Sequence, residues 1–597
     1  MKSIFYQLIT CILVVLAIPS KAQTYSIHQN SGYDPLIREM YRPGVNLHSS
    51  VKPYRLDEVN KYYSTDSLIQ KGLYKPTERV YLLSRKQPAD KLNIFQRFIH
   101  DDLFSWDDKD DNIFVRINPL ANFEIGKEFS EVKNTWVNTR GVMIEGRLGK
   151  NISFYGDFYE NQAVFPQYLH NHIGGRQIDR DAPVGQYDER YVVPGQGRVK
   201  PYNDGGFDYS QSNGYVSYNA GEWINFQVCY GKNFIGDGYR SLLLSDNASP
   251  YGHFKITTTF WKLKYLWMVA KFDHFDFYNR GIMGVSRFPT KYGVFHYLTG
   301  NIGERFSFGI YESVMCSAKD EEGHRGLDMN YLNPFLFYRP VELAVGSPDN
   351  MLVGANAKLI VWKDAAIYGQ FILNEFKLDE LRSGNKWWAN KYGYQIGVKS
   401  YNFLGINNLD VQTEYNHVRP FTYSHYGRTD KPRTNEKQVY TMNYFGHANQ
   451  ELMHPLGANF RESVSILRYR YGRWHIELKN MMAIHGKDKK FRETKELGAN
   501  NFATWYISYG GDIFKSNEDR FGSHGHEVGQ GIKTDILNVS GELSWLVNPK
   551  TNMNIAIGGL YRKQSNEKGE NFDKFENVNK LFFVTIRTSL RNFYYDF

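Results

Sequence analysis

The stretch Leu581-Phe582-Phe583-Val584-Thr585-Ile586-Arg587-Thr588-Ser589-Leu590-Arg591-Asn592-Phe593-Tyr594-Tyr595-Asp596-Phe597 decides how the rest of the chain is read. Phe582, Val584, Ile586 and Leu590 alternate with Phe583, Thr585, Arg587, Ser589 and Arg591, and a period of two places the two sets on opposite faces of a strand. Phe593, Tyr595 and Phe597 follow, so the chain reads as closing on an amphipathic strand with a terminal Phe, the form of the last strand of a bacterial outer-membrane barrel. The apolar parity shifts by one between Leu590 and Phe593, which predicts a bulge or a frayed end there. Lipid offers an open sheet edge no hydrogen-bond partner, so a strand of this kind implies a closed barrel. The expected fold class is therefore all-β, a transmembrane antiparallel β-barrel.

The other end agrees. Lys2 supplies a positive start, residues 8–18 an apolar core, and Ser20-Lys21-Ala22 a small-x-small cleavage signal, which predicts a signal peptide over 1–22 and export to the outer membrane. No later stretch offers the roughly 20 uninterrupted apolar residues of a spanning helix. Aromatic residues make up 16% of the chain, while the mean hydropathy of -0.53 is that of a water-soluble protein. Strands with one lipid-facing and one polar face, edged by aromatic girdles, produce that combination. The formal charge of +9 includes Lys2 and Lys21, so removing residues 1–22 leaves about +7, which suits lipopolysaccharide phosphates but is too weak to argue nucleic acid. Cys229 and Cys316 are too few and too distant for a disulfide framework and are expected as free thiols.

Hairpin signals set the strand number. Val142, Ile144, Gly146 and Leu148 alternate with Met143, Glu145 and Arg147, turn at Gly149-Lys150-Asn151, and resume as Phe154, Gly156 and Phe158. Further tight turns are expected at 219–222, 261–263, 300–304, 362–365, 402–407, 471–473 and 547–551. Long polar stretches at 161–213, 235–251, 275–289, 318–349, 377–391, 417–459, 486–530 and 564–577, with a connection at 128–134, alternate with them. About nine loops and eight turns imply about 18 strands, with 501–509 either a loop hairpin or a further wall strand. By parity Trp474, Ile476 and Leu478 face lipid and His475, Glu477 and Lys479 the lumen; Leu409, Val411, Thr413 and Tyr415 point out and Asp410, Gln412 and Glu414 in. A polar lumen of mixed sign is expected. Leu56, Val59 and Tyr62, then Phe95, Phe98, Ile99 and Leu103, recur at helical spacing, so 23–110 is expected as a small periplasmic helical or plug segment and 111–597 as the barrel.

A block in the middle of the chain carries a resemblance. Tyr331-Leu332-Asn333-Pro334, Pro340-Val341-Glu342, Gly346-Ser347-Pro348-Asp349-Asn350, Tyr368-Gly369-Gln370 and Asn374-Glu375-Phe376 resemble the Wzi-type capsule assembly proteins, whose Bacteroidetes branch includes the gliding-motility protein RemB. Gly236-Asp237-Gly238-Tyr239-Arg240-Ser241-Leu242-Leu243-Leu244-Ser245, Ser249-Pro250-Tyr251 and His48-Ser49-Ser50-Val51-Lys52-Pro53-Tyr54 are similar to segments of the same family. Asn374 departs from the acid expected beside Glu375, which puts a paired-carboxylate role there in doubt. The resemblance implies an 18-stranded outer-membrane barrel that assembles or retains surface polysaccharide, or supports adhesin movement in gliding. Its implied partners are surface polysaccharide or surface adhesin and motility proteins, besides outer-membrane lipid, lipopolysaccharide and the barrel-insertion machinery.

Among candidate site residues, Tyr331, Asn333, Glu342, Asp349, Asn350 and Glu375 mix aromatic, amide and carboxylate groups that can hold sugar hydroxyls or a partner. The plain alternative is a loop tied down by its own hydrogen bonds. Arg468, Arg470, Arg587 and Arg591 fall on the lumen by parity and define the rival reading, an anion-selective or general diffusion channel. His524-Gly525-His526-Glu527 contains metal-ligand types without further ligands at recognisable spacing, and a solvated loop is the simpler reading. Ser241, Ser245 and Ser249 lie near His253 without a nucleophile elbow or an orienting carboxylate, so an embedded hydrolase using Ser249 is the third and weakest reading. No catalytic, cofactor or metal site is expected.

Overall fold

The computed structural model describes residues 38–597 apart from 39, 46, 56–57, 59–92, 109, 132, 175–189, 204, 276–287, 321–322, 335–348, 426–441, 489–492, 497–501, 506–507, 516, 518–519, 549–550, 568–573 and 589–593. The expected signal peptide, the positions 56, 59 and 62, and the shift between Leu590 and Phe593 lie outside the described residues.

Eighteen antiparallel strands close into one barrel. They are β1 Ile113–Glu128, β2 Lys133–Leu148, β3 Ile152–Val164, β4 Gly206–Ala220, β5 Ile224–Gly231 and β6 Tyr251–Phe260. Next come β7 Leu263–Asp273, β8 Thr290–Ile302, β9 Phe306–Ser317, β10 Asn350–Trp362, β11 Ala365–Glu375 and β12 Lys391–Ser400. The last are β13 Leu409–Val418, β14 Phe460–Tyr471, β15 Trp474–Lys487, β16 Ile532–Asn548, β17 Met553–Asn566 and β18 Phe575–Arg587. Tight turns and long loops alternate as the hairpin signals require, and Gly149 takes positive φ in the β2–β3 turn, where a side chain would be strained. The segments Glu493–Glu496 and Phe502–Trp505 form a loop hairpin outside the wall.

The seam is made twice. β18 pairs with β1 from Leu581↔Glu128 to Arg587↔Asn122, and the short strand Phe104–Asp108 takes the same edge of β1 from Phe104↔Ile117 to Asp108↔Ile113. Between them the two partners cover residues 113–117 and 122–128 of this edge, and Thr588 N donates to the Ala121 carbonyl between them, so most of the edge is paired, as lipid demands.

The outward face carries Phe123, Ile125, Val142, Ile144, Val228, Leu478, Ile557 and Phe582, all exposed apolar side chains. At the tight-turn end, Trp223, Trp261, Trp362, Tyr471, Trp474 and Trp545 ring the barrel as an aromatic girdle. That end is periplasmic because short turns mark that side of bacterial barrels. The facing assigned by parity holds: Trp474 and Leu478 are exposed, whereas Gln412 and Glu414 are buried.

The inside departs from expectation in two ways. Much of the lumen is an apolar core rather than a polar space: Leu242, Leu243 and Leu244 pack against Met268, Phe272, Phe295, Tyr297, Leu352, Ile372, Leu452 and Phe460. The inner positions of a strand read alike in sequence whether water or a folded segment faces them, so periodicity cannot distinguish the two cases. Second, the final strand stops at Arg587. Tyr594, Tyr595, Asp596 and Phe597 do not extend it but lie inside the barrel, where Tyr594 and Asp596 are buried and Phe597 packs on the core. The alternation that ends the chain is thus shared between a wall strand and a lumenal tail.

The helix α1, Ile94–His100, starts at a capping box in which Asn93 accepts from the Gln96 amide and Gln96 from the Asn93 amide. Its far end is pinned to the periplasmic end of β16, where Asn548 Nδ2 donates to the carbonyls of Phe98 and Asp101, both at 2.9 Å. The helix α2, Gln167–Ile173, belongs to the β3–β4 loop and buries Tyr168, Leu169 and Ile173.

Candidate functional site

The centre of the molecule is the β5–β6 loop, 232–250, which turns into the barrel and is buried throughout apart from half-buried Tyr239. The glycines of Gly236-Asp237-Gly238 are dictated by contact. Gly236 has φ +144 and a Cβ there would lie 2.2 Å from Gln370 Nε2, while one on Gly238 would meet Glu414 Oε2 and the Arg240 carbonyl oxygen, each at 2.5 Å. With no side chains in the way, Glu414 accepts from the backbone amides of Tyr239 at 2.8 Å and Arg240 at 3.1 Å. Gln370 Oε1 accepts from the amide of Leu242 at 2.7 Å.

Two charged nodes fasten the loop to the wall. Asp237 accepts from Tyr41 (3.0 Å), Ser49 (2.6 Å) and Asn356 (2.9 Å), so N-terminal segment, loop and β10 meet on one carboxylate. Burial alone would raise its pKa, but Lys358, the Ser49 and Asn356 hydrogen bonds and Lys399 outweigh it and hold the carboxyl below its usual range. Arg240, 1% exposed, donates from Nη2 to Glu462 Oε1 at 2.9 Å and to the Asp596 carbonyl at 2.9 Å, and its Nη1 lies 3.2 Å from Asp596 Oδ1. Its guanidinium also lies over the rings of Tyr239 and Tyr594. Glu462 further accepts from Asn416 at 3.0 Å and from His454 Nε2 at 2.7 Å. His454 Nδ1 accepts from the Leu456 amide, and burial keeps the ring neutral, which fixes its tautomer.

The tail belongs to the same network. Tyr594 donates to Asp246 at 2.7 Å, Asp596 takes Lys479 at 3.1 Å and the Tyr239 hydroxyl at 2.8 Å, and the Phe597 carbonyl accepts from Arg562. Tyr168 of α2 donates to the Tyr595 carbonyl at 3.0 Å. Beside the loop and tail, the inner faces of β13–β18 and β1–β3 enclose a cavity of about 540 Å³. It reaches from Asn552 and Thr588 at the periplasmic rim to Phe165, Pro166 and Tyr168 on the outer side.

The residues expected in the mid-chain loop divide. Tyr331 is buried and donates to Asp349 Oδ2 at 2.8 Å, and Arg325 grips Asp349 with both nitrogens at 2.8 and 3.0 Å. Asn350, buried, accepts from Asn374 at 2.6 Å, and Glu375 accepts from Lys391 at 2.7 Å. The polar atoms of these residues are thus engaged within the protein, whereas Asn333 is exposed and Glu342 lies outside the described residues. Asn374, which broke the family pattern, is a structural amide binding both Asn350 and the Met351 carbonyl.

Of the lumenal arginines, Arg468 and Arg587 face the cavity and Arg470 is buried, while Arg591 lies outside the described residues. Arg468 pairs with Glu477 at 2.7 Å and Arg587 with Glu542, so their charges are compensated and do not act as a bare basic ladder. His526 bonds the Gly522 carbonyl and Gln530, and Glu527 pairs with Lys386. Ser241 donates to the Ile235 carbonyl and Ser249 to that of Gln196, and among the described residues no carboxylate bonds either ring nitrogen of His253. Cys229 and Cys316 form no disulfide.

Arg240, Glu462, Asp596 and Tyr594 were not singled out as site residues by the sequence. Arg240 sits in the quoted glycine-serine segment and Glu414 was assigned inward, but their joining rests on contacts 174 to 356 residues apart.

No protein-family model matches the chain, and no curated protein matches it. Among solved structures the chain is similar to Wzi of Escherichia coli, described as an outer-membrane protein involved in group 1 capsule assembly and a carbohydrate-binding β-barrel, with 12% identity over 95% of this chain and 99% of that one and a TM-score of 0.45. It is also similar to OprD of Pseudomonas aeruginosa, with 8% identity over 79% of this chain and 94% of that one and a TM-score of 0.37. OccAB2 of Acinetobacter baumannii has 8% identity over 80% and 98% of the two chains, with a TM-score of 0.37. The strand pairings, rather than these distant likenesses, define the fold described above.

Proposed function

We propose that this chain is a non-enzymatic outer-membrane barrel that works through its external surface, assembling or retaining surface polysaccharide or supporting adhesin movement in gliding, and not by conducting solutes. The observation that carries the reading is the cross-lumen lock of Asp237 and Arg240. A loop whose charges are buried and paired across the barrel to β10, β14 and the tail fills space that a diffusion channel needs open. The choice of polysaccharide or gliding comes from the resemblance of the mid-chain block and the Gly236–Ser245 segment, which is also the segment that forms this lock.

The test is deletion of the gene in its native host, scored together for surface-retained polysaccharide and colony spreading, with planar-bilayer conductance of the purified protein alongside. Loss of either phenotype without steady single-channel steps supports the reading. Steady conductance with both phenotypes normal would overturn it in favour of the channel.

A further inference from the structure

Two buried amide atoms in the lining of the cavity beside the loop have no hydrogen-bond partner among the described residues. Among the described residues, Asn538, on the inner face of β16 and 1% exposed, has no hydrogen-bond partner for its Nδ2, and Asn554, on the neighbouring β17, has none for its buried Oδ1. A buried donor or acceptor ordinarily has a partner, so such atoms facing one space are placed to bind a molecule that enters it. Glu124, on β1 across the same cavity, makes no hydrogen bond among the described residues.

The charged groups narrow the chemistry. Arg468 is paired with Glu477, Arg587 with Glu542 and Lys479 with Asp596, and Lys52 and Lys399 stand against Glu124, Asp246 and Asp410 in the same lining, so opposite charges nearly balance and the wall offers hydrogen bonds with little net field to hold an anion or a cation. Tyr54, Tyr159 and Tyr401 add aromatic surface. Amide forks, a carboxylate acceptor and tyrosine rings suit a ligand with many hydroxyls and apolar ring faces. The volume of about 540 Å³ lies within the range of sites for small organic ligands. The rim at Asn552 and Thr588 is periplasmic, while Phe165, Tyr168 and Tyr595 cover the outer end.

We infer that this cavity is a periplasm-facing binding site for a short neutral saccharide segment, held by Asn538, Asn554 and Glu124. The site is distinct from the outer surface; only the choice of polymer rests on the proposed function.

The test uses the full chain in detergent, with saturation-transfer NMR and equilibrium dialysis against two probes: the neutral and the acidic oligosaccharide fractions of an acid hydrolysate of the host's own surface polysaccharide. The neutral fraction is expected to bind, and Asn538→Leu and Glu124→Gln each to weaken it at least tenfold with unchanged heat-modifiable gel migration. Glu124→Gln, at a half-buried position, keeps the test decisive should Asn538→Leu misfold. No binding of the neutral fraction, binding of the acidic fraction only, or equal binding by folded variants overturns the inference. Lost polysaccharide retention in the deletion strain without cavity binding would remove this site and leave the proposed function standing; cavity binding with normal retention and spreading would do the reverse.

Discussion

Replacing Arg240 with Met should release the lumenal loop while leaving the barrel closed. The guanidinium is fully buried and serves two carboxylate-bearing residues, Glu462 on β14 and Asp596 in the tail. Removing one partner of a buried ion pair costs roughly 3–5 kcal/mol, because the other charge stays desolvated. Here Glu462 keeps Asn416 and His454, and Asp596 keeps Lys479, so the lower end, about 3 kcal/mol, is the right magnitude. If the loop opens as a local unit, its amide exchange should rise by about 150-fold. The reporters are Leu242, Leu243 and Leu244, whose amides are bonded to Gln370 and Ser241. Wall amides in β7–β9 should keep their wild-type rates. Native-state hydrogen exchange with mass spectrometry reads both sets in one experiment. The double variant Arg240→Met/Glu462→Leu should recover most of the protection, since it removes the stranded charge. Loop exchange within about fivefold of wild type in the single variant, or loop and wall accelerating together, would refute the idea that this pair is a local lock.

His48 gives a pH test. It is buried, neither ring nitrogen has a hydrogen-bond partner among the described residues, and burial, helped by Lys264 and Lys358 and opposed by Glu58, lowers its pKa to about 3. The folded state therefore refuses a proton that the unfolded state accepts below about pH 6.5, and stability is full above that value and falls as pH drops toward 3. At pH 5 the loss is about 2 kcal/mol, and His48→Phe should shrink the measured pH 7 to pH 5 stability difference by that amount; an unchanged difference argues against it. Val142→Arg, on the lipid-facing row midway along β2, should cost about 2–4 kcal/mol in barrel refolding into lipid, whereas Lys150→Glu in the adjacent turn should stay within about 0.5 kcal/mol; equal costs would contradict the assigned faces. Asp349→Ala should leave Arg325 only its Asp328 pair and remove the acceptor of the Tyr331 hydroxyl, and so raise protease cutting of the β9–β10 loop without changing heat-modifiable migration; unaltered cutting would count against the buried clamp.

Sequence alone determined the wall. Alternation of period two is local, and the lipid-facing set must be apolar, so Trp474, Leu478, Phe582 and Ile586 declared their side before any contact was known. Turn and loop lengths set the strand number for the same reason, since each hairpin is closed by its own neighbours. What fills the barrel was decided only by tertiary structure. An inward position is compatible with water, an apolar core or a buried ion, and the chain does not mark which: Met268 and Phe295 meet Leu242–Leu244, while Asn538 and Glu542 meet a cavity. Asp596 and Tyr594 continue the terminal alternation, yet they bind Arg240 and Asp246, some 350 residues earlier. Partners so far apart in the chain carry no periodic signal, because the energy that joins them, a charge pair shielded from water, exists only once the barrel has closed around it.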